Sequence, residues 1–309
     1  MSDKPKVMTP VTASIVTSKN PRETPHPAPR GAARPQRRSY WALPRAFLIV
    51  LICVVFGYPL IWMVLGAFKT QSTFFSNMWG LPATWRVDNF VQAWSVGNIG
   101  RFLINSVVVS ASSVALVLVL SLPMSFTLAR VKFPGIRVVF GLFLVTLFVP
   151  LQLLIIPLYG LEANLGLINS YLGLILPYSA GALPFAVVFA TSFFASLPLE
   201  LDEAARLDGC NPGQVFIRIC LPLAKPAVAT VVILTFLNVW NEFILALTLT
   251  QTDDVRTIPV GLLNFSQQMG ATNYPQLFAA LTLATIPILA VFLVTQKQFI
   301  SGLTEGALK

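Results

Sequence analysis

The stretch EAARLDGCNPGQVFIRICLP, residues 203–222, decides how the rest of the chain is interpreted. It contains charged residues and an Asn-Pro-Gly turn, yet it lies between two long apolar blocks of a chain that is 55% hydrophobic and only 11% charged. Apolar blocks of this length can cross a lipid bilayer, whereas a polar stretch between them belongs outside it. The stretch is therefore predicted to be a loop that joins two membrane spans.

The first part of this loop has the signals of a short helix. Pro198 suits the first turn, and Glu200, Asp202 and Glu203 suit the early positions, where negative charge interacts favourably with the helix dipole. Gly209 can adopt the left-handed conformation that ends a helix. A helix that stops at a sharp turn is predicted.

The second part has the signals of another helix. Asn211 can cap it, Pro212 can occupy its first position, and Gln214 can complete a capping box three residues after the cap. The loop is thus predicted to be a rigid helix-turn-helix knob.

Two uses of such a knob are considered. An amphipathic element on the membrane surface would need an apolar face, and Leu201, Ala204, Ala205 and Leu207 form a short, weak one. A protein partner fits better, because small alanines let a helix enter a groove while charged residues at its edges pair with opposite charges. A protein-docking knob is the preferred interpretation.

The remainder of the chain predicts an all-α membrane protein with six transmembrane helices. The mean hydropathy is +0.74, which is typical of membrane proteins. Six apolar runs can cross the roughly 30 Å hydrocarbon layer at about 1.5 Å per residue. They are about 46–68, 102–129, 138–159, 171–196, 223–249 and 277–295.

The basic residues predict the orientation. Residues 1–45 are expected to be a disordered cytoplasmic tail, followed by a membrane domain over 46–309 with a cytoplasmic loop at 197–222. With the tail inside, the cytoplasmic segments hold 17 of the 21 Lys and Arg residues, which places both termini in the cytoplasm. The tail could also attract anionic lipid or nucleic acid, but no aromatic or Gly pattern indicates nucleic-acid recognition.

Several chemistries have no support in the sequence. A Gly-x-x-x-x-Gly-Lys-Ser/Thr phosphate loop is absent, and the single histidine, His26, lies in the tail. Cys53, Cys210 and Cys220 have no metal-binding spacing. We expect no catalytic residue, metal or cofactor in this chain.

The quoted stretch resembles the EAA motif of ABC importer permeases, which reads Glu-Ala-Ala, three residues, Gly, nine residues, Ile, one residue and Leu-Pro. The likeness extends over positions 45–309, and LNVWNEFILAL at 237–247 is similar to the maltose and glycerol-phosphate permease group, specifically its second, six-span subunit. The matching motif positions are Glu203, Ala204, Ala205, Gly209, Ile219, Leu221 and Pro222.

The resemblance implies a type I ABC importer permease fold in the cytoplasmic membrane of a prokaryote. Its loop would dock into a cleft of the ATPase, so the motif positions, with Arg206 and Asp208, are predicted to be the ATPase-coupling residues. The implied partners are two copies of an ABC ATPase carrying ATP and Mg, a second permease subunit, an extracytoplasmic sugar-binding protein and membrane lipid. The implied cargo is a sugar or oligosaccharide, or another small polar solute such as a glycerol-phosphate compound.

Two functions from other classes are alternatives. A secondary transporter would need an ion-coupling site and often has an inverted repeat. A membrane-embedded enzyme would need paired carboxylates, histidines or metal ligands. Neither pattern is visible in the sequence.

Polar residues within the apolar runs are candidates for a substrate pathway. Amides and an indole suit sugar hydroxyls and ring faces, although interfacial anchoring or helix-helix hydrogen bonding would place the same residues there. The outer loop at 250–276 is a further candidate, since the resemblance implies that it contacts the binding protein; the alternative is a solvated connector. The pathway candidates are Gln152, Tyr178, Asn238, Trp240, Asn241 and Glu242.

Overall fold

The computed structural model describes residues 42–268 and 273–307, and over these the chain is built from α-helices. Most of the predicted tail, residues 1–41, lies outside the described residues, as do positions 269–272 of the predicted outer loop. The helices are α1 (Ala42–Ala67), α2 (Gln71–Ser76), α3 (Asp88–Ser95), α4 (Ile99–Arg130), α5 (Ile136–Thr146), α6 (Ile155–Leu165), α7 (Tyr171–Ser196), α8 (Glu200–Leu207), α9 (Pro212–Val215), α10 (Leu221–Leu223), α11 (Lys225–Asn241), α12 (Ile244–Leu249), α13 (Ile258–Gln268) and α14 (Tyr274–Ala307).

The chain divides into two units, residues 1–52 and 53–309. The boundary lies inside α1, so the described part of the first unit is the beginning of that helix, residues 42–52.

Four helical segments are individually long and apolar enough to cross a membrane: Pro44–Ala67, Ile99–Arg130, Tyr171–Ser196 and Tyr274–Lys297. Two further segments are bent pairs of helices, α5 with α6 at 87° and Pro212–Leu223 with α11 at 75°. The described residues thus contain four candidate spans, or up to six if each bent pair is counted as one.

The bent pairs differ from the straight helices that apolar runs 138–159 and 223–249 suggest. Pro150 precedes a 3-10 turn between α5 and α6 and has extended backbone, ψ 132°. Proline lacks an amide donor and disfavours helix in the residue before it, so the run breaks there. The 75° bend of the second pair lies at Ala224, before α11 begins. The run 223–249 is broken separately, because α11 stops at Asn241 and Glu242 is extended, with ψ 127°. Hydropathy alone does not reveal either break.

The centre of the molecule is the packing of α4 against α7. One face of α4 carries buried serines, and Ser125 Oγ donates to the carbonyl of Val187 on α7 at 3.0 Å. Small side chains let two helix backbones approach closely within a bilayer. The buried serines are Ser106, Ser110, Ser113, Ser121 and Ser125, and the small buried residues of α7 include Gly173, Ala186 and Ala190.

At the N-terminal end of α4, the segment after α12 is hydrogen-bonded to that helix. Asn105 Nδ2 donates to the carbonyls of Asp254 and Arg256, each at 2.9 Å. The next helix, α13, begins with the buried residue Ile258, whose amide donates to Ser106 Oγ at 2.7 Å. The predicted loop at 250–276 therefore includes a packed helix, which its polar composition concealed.

Candidate functional site

The predicted knob, defined here as residues 199–223, ends its first helix with a left-handed glycine. Gly209 has φ +81°, and its amide donates to the carbonyl of Arg206 at 3.0 Å. Cys210 donates to the carbonyl of Ala205 at 2.9 Å. These two bonds form a Schellman motif, so the predicted role of Gly209 in ending α8 is confirmed.

The second helix of the knob begins with the predicted capping box. Asn211 Oδ1 accepts from the amide of Gln214, and Gln214 Oε1 accepts from the amide of Asn211, both at 2.9 Å. Pro212 occupies the first helical position. The prediction for this turn is confirmed.

Two details of the knob differ from the prediction. Pro198 lies before α8, which starts at Glu200 with Leu199 as its N-cap, because Leu197 is held extended before the proline, ψ 142°. The second helix also contains a π-helical turn, Phe216–Cys220, between α9 and α10.

The knob has an outer face and an inner face. Asp202 and Ala205 are buried, one turn apart on α8, because helical periodicity places i and i+3 on the same side. Ala205 belongs to a buried cluster with Phe126 of α4 and Phe194 of α7. It was expected on the partner-facing surface and lies on the inner face instead.

The other predicted coupling residues, and Leu207 between them, are exposed or half-buried. Leu207 is 90% exposed and forms an apolar tip at the end of α8. Ile219 and Leu221 are half-buried and Pro222 is exposed. The other exposed positions are Glu203, Ala204, Arg206, Asp208 and Gly209.

A second candidate site is a cavity of about 130 Å³ between α7, α11 and the turn before α6. Gln152, Tyr178, Asn238 and Glu242 line it, so the structure brings together four of the six predicted pathway residues. Asn238 and Glu242 are one helical turn apart and share a face.

The other two predicted pathway residues do not line this cavity. Trp240 is buried in the apolar core, with its ring 5.2 Å from that of Phe236. Asn241 is exposed, and its side chain donates to the carbonyl of Leu237 at 2.8 Å. Trp240 is two positions from both Asn238 and Glu242 and therefore points away from the face that they share. Asn241 follows Asn238 by three positions, but its side chain is turned back to the carbonyl of Leu237.

Glu242 has a clear structural role in the cavity wall. Its carboxylate accepts from the hydroxyl of Tyr178 at 2.7 Å and from the amides of Leu245 and Ala246 at 2.9 and 3.1 Å. It therefore caps the start of α12 just after α11 ends. Its hydrogen bond with Tyr178 connects this point to α7. These contacts favour helix-helix bonding for Glu242 and Tyr178, while the amides of Gln152 and Asn238 supply polar lining.

One buried ion pair was not anticipated from the sequence. Arg130 Nε lies 3.5 Å from Asp202 Oδ2, and the side chains are only 3% and 9% exposed. In the sequence, Arg130 follows the apolar run 102–129 and Asp202 is one of the early acids of the loop. Their pairing depends on how α4 and α8 pack, which no local pattern reveals.

These features define a helical membrane protein with a capped helix-turn-helix knob and a small polar cavity between its helices. The sequence profile of the family described as "Binding-protein-dependent transport system inner membrane component" matches residues 121–304, which include the knob. The chain belongs to this family, and its predicted identity as an ABC importer permease is confirmed.

Individual proteins agree with this assignment. The chain is 37% identical over 281 residues to the diacetylchitobiose uptake system permease protein NgcG of Streptomyces coelicolor, covering 91% of this chain and 92% of that protein. It is 34% identical over 281 residues to the trehalose transport system permease protein SugB of Mycobacterium tuberculosis, covering 89% and 98%. A chain of a bacterial ABC transporter for import of the acidic polysaccharide alginate superposes with a TM-score of 0.73 at 21% identity, covering 84% and 96%.

Proposed function

We propose that this chain is the permease subunit of an ATP-driven importer that carries a sugar or oligosaccharide across the cytoplasmic membrane by alternating access. The observation that carries the proposal is the knob, whose capped turns hold an exposed face of α8 in a fixed direction. The sugar-uptake names of the relatives NgcG and SugB support the cargo class.

The knob is proposed to dock into an ATPase subunit that supplies ATP and Mg. Glu203 presents a carboxylate, Ala204 leaves room for close approach, and Leu207 offers an apolar anchor. An exposed apolar side chain among polar residues suits a partner groove better than water. Two ATPase copies would serve this subunit and a companion permease.

The small cavity supports the need for that companion. Its volume of about 130 Å³ is below the roughly 300–1,000 Å³ of typical ligand sites. Gln152 and Asn238 could bind sugar hydroxyls through their amides, but a complete sugar site would require walls from a second permease subunit. An extracytoplasmic sugar-binding protein would deliver the cargo.

The proposed topology has six spans and both termini in the cytoplasm. It counts α5 with α6 as one crossing and the apolar run 223–249, which contains α11, as another. It also follows the distribution of Lys and Arg residues, 17 of 21 of which then lie inside. The knob and the basic tail share the cytoplasmic side in this arrangement, where a soluble ATPase can reach the knob.

Two matched glycine substitutions test the docking proposal. Gly209, with φ +81°, and Gly166, with φ +68°, both end helices, and an added Cβ meets nothing within 4 Å at either position. A side chain at positive φ costs about 1 kcal/mol or more, and more when it is β-branched. Gly209→Val and Gly166→Val therefore impose a similar local strain on different parts of the molecule.

The measurement is recovery of the ATPase when this chain is purified from membranes. Gly209→Val should insert but lose the ATPase, because the knob is misaimed, whereas Gly166→Val should keep it. Glu203→Ala should weaken recovery less, since it removes one charged contact worth about 1.5–3 kcal/mol if partly desolvated. Equal ATPase recovery with Gly209→Val and Gly166→Val would refute docking through the knob.

A further inference from the structure

The guanidinium of Arg130 joins three elements at the cytoplasmic end of the bundle. Arg130 is the last residue of α4, and it pairs with Asp202 of α8. Its Nη2 also donates to the carbonyl of Leu197 at 2.9 Å. Leu197 is the C-cap of α7, so the cation also lies where the dipole of that helix favours positive charge.

The carboxylate of Asp202 extends these links to a fourth element. Its second oxygen, Oδ1, lies 3.7 Å from Cys220 Sγ, a weak donor in the π-helical turn that leads toward α11. One buried ion pair thus connects α4, α7, α8 and the approach to α11.

The Arg130–Asp202 pair lies in apolar surroundings, so removing either charge has a large energetic effect. Phe126, Phe194 and Phe216 pack against one another beside it, with ring centroids 5.2–6.2 Å apart. Charges in apolar surroundings interact more strongly than in water, but burying them is costly. Apolar residues of similar size often give equal stability, so stability alone is a weak reason for such a pair.

Adjacent acids of the knob therefore face different neighbours. Glu203 is exposed on the face proposed to meet the ATPase, while Asp202 points into the bundle and holds Arg130. Apolar contacts alone would let the knob tilt or slide, whereas an ion pair with a fixed backbone bond sets its orientation.

We infer that Arg130 and Asp202 are positioning residues that clamp the knob to α4 and α7, so that an ATPase pulling on the knob moves these two helices together with α11. This inference rests on the proposed function. It assigns to the pair transmission of movement, which is separate from holding the ATPase.

The test uses the complete transporter complex and a reporter that needs no knowledge of the cargo. Ala182, on α7, lines the small cavity, so Ala182→Cys can report movement of this helix after Cys53→Ala and Cys210→Ser remove the more accessible thiols. The measurement is the rate of labelling by a membrane-impermeant maleimide, with and without ATP and vanadate. ATPase recovery is measured on the same preparations.

In the parent complex, ATP and vanadate should change the labelling rate. Arg130→Gln and Asp202→Asn should keep the ATPase but lose that change, and the exchanged pair Arg130→Asp with Asp202→Arg should regain part of it. Lys132→Gln is the control, because Lys132 lines the same cytoplasmic cavity as the pair but is exposed; it should behave like the parent.

The outcomes separate the inference from the proposed function. A nucleotide-dependent change that survives in both Arg130→Gln and Asp202→Asn would overturn the clamp, and so would loss of the ATPase from Asp202→Asn, since the pair would then act on docking. If the parent complex showed no nucleotide-dependent change, the proposed alternating access itself would fail, and the inference with it.

Discussion

The two ends of α4 each carry an arginine paired with an aspartate from a later segment, and the two pairs differ in an instructive way. At the N-terminal end of α4, which is the outer end in the proposed topology, Arg101 Nη2 lies 2.7 Å from Asp254 Oδ1, with side chains 56% and 65% exposed. At the C-terminal end, which is the cytoplasmic end in that topology, Arg130 and Asp202 are 3.5 Å apart but almost completely buried. Solvent weakens the shorter contact, so distance alone does not rank the two pairs.

The outer end is held by a neutral group instead. Asn105 is buried, donates to two backbone carbonyls of the segment after α12, and accepts from the hydroxyl of Tyr171 at 2.7 Å. The outer segment is thus fixed by an amide that satisfies backbone groups, and the knob by a pair of charges between side chains. The first arrangement holds one loop, whereas the second links several helices.

The largest expected effect is the loss of Asp202. Asp202→Ala leaves the Arg130 charge buried without its partner, which typically costs about 3–5 kcal/mol. The purified transporter in detergent should therefore show a clearly lower thermal midpoint than the parent. Asp254→Ala is the matched control at the other end of α4, and equal midpoints for the two variants would show that burial gives the cytoplasmic pair no special weight.

A smaller effect is expected from Asn105→Ala. The substitution leaves the carbonyls of Asp254 and Arg256 and the hydroxyl of Tyr171 without this partner, and each unsatisfied buried group costs about 1–3 kcal/mol unless water reaches it. The midpoint should fall by more than for Arg101→Ala, which removes an exposed charge. If Arg101→Ala proved the more damaging change, the outer segment would be held by charge after all.

The same contrast explains what the sequence could reveal. The turns of the knob were predictable because Gly209, Asn211 and Gln214 act within a few residues of their partners. The hydrogen bond from Asn105 spans 149 positions, and the Arg130–Asp202 pair likewise depends on helix packing. Local signals therefore gave the shape of the knob but not what fastens it to the bundle.

The cavity was partly predictable from local signals and partly dependent on helix packing. The polarity of Asn238 and Glu242 within an apolar run made them pathway candidates, and both line the cavity. Trp240 satisfied the same criterion and is buried in the core instead. Which of these side chains reach the cavity depends on how α11 is rotated about its axis and on the break in the helix at Glu242. The uninterrupted hydropathy from 223 to 249 reveals neither.

The smallest effect is expected from Asp254→Asn. The substitution removes the charge facing Arg101 but keeps the backbone carbonyl that Asn105 holds, so the outer segment should stay in place. An exposed ion pair contributes about 0.2–1 kcal/mol.

Even this difference from the parent should shrink between 0.1 and 1 M salt, because the screening length falls from about 10 to about 3 Å. The effect of Asp202→Asn should change little over the same salt range, because the side chains of Arg130 and Asp202 are only 3% and 9% exposed. Thermal midpoints of both variants and the parent at the two salt concentrations provide the comparison. A salt-independent loss with Asp254→Asn as large as that with Asp202→Asn would show that the two ends of α4 are held in the same way.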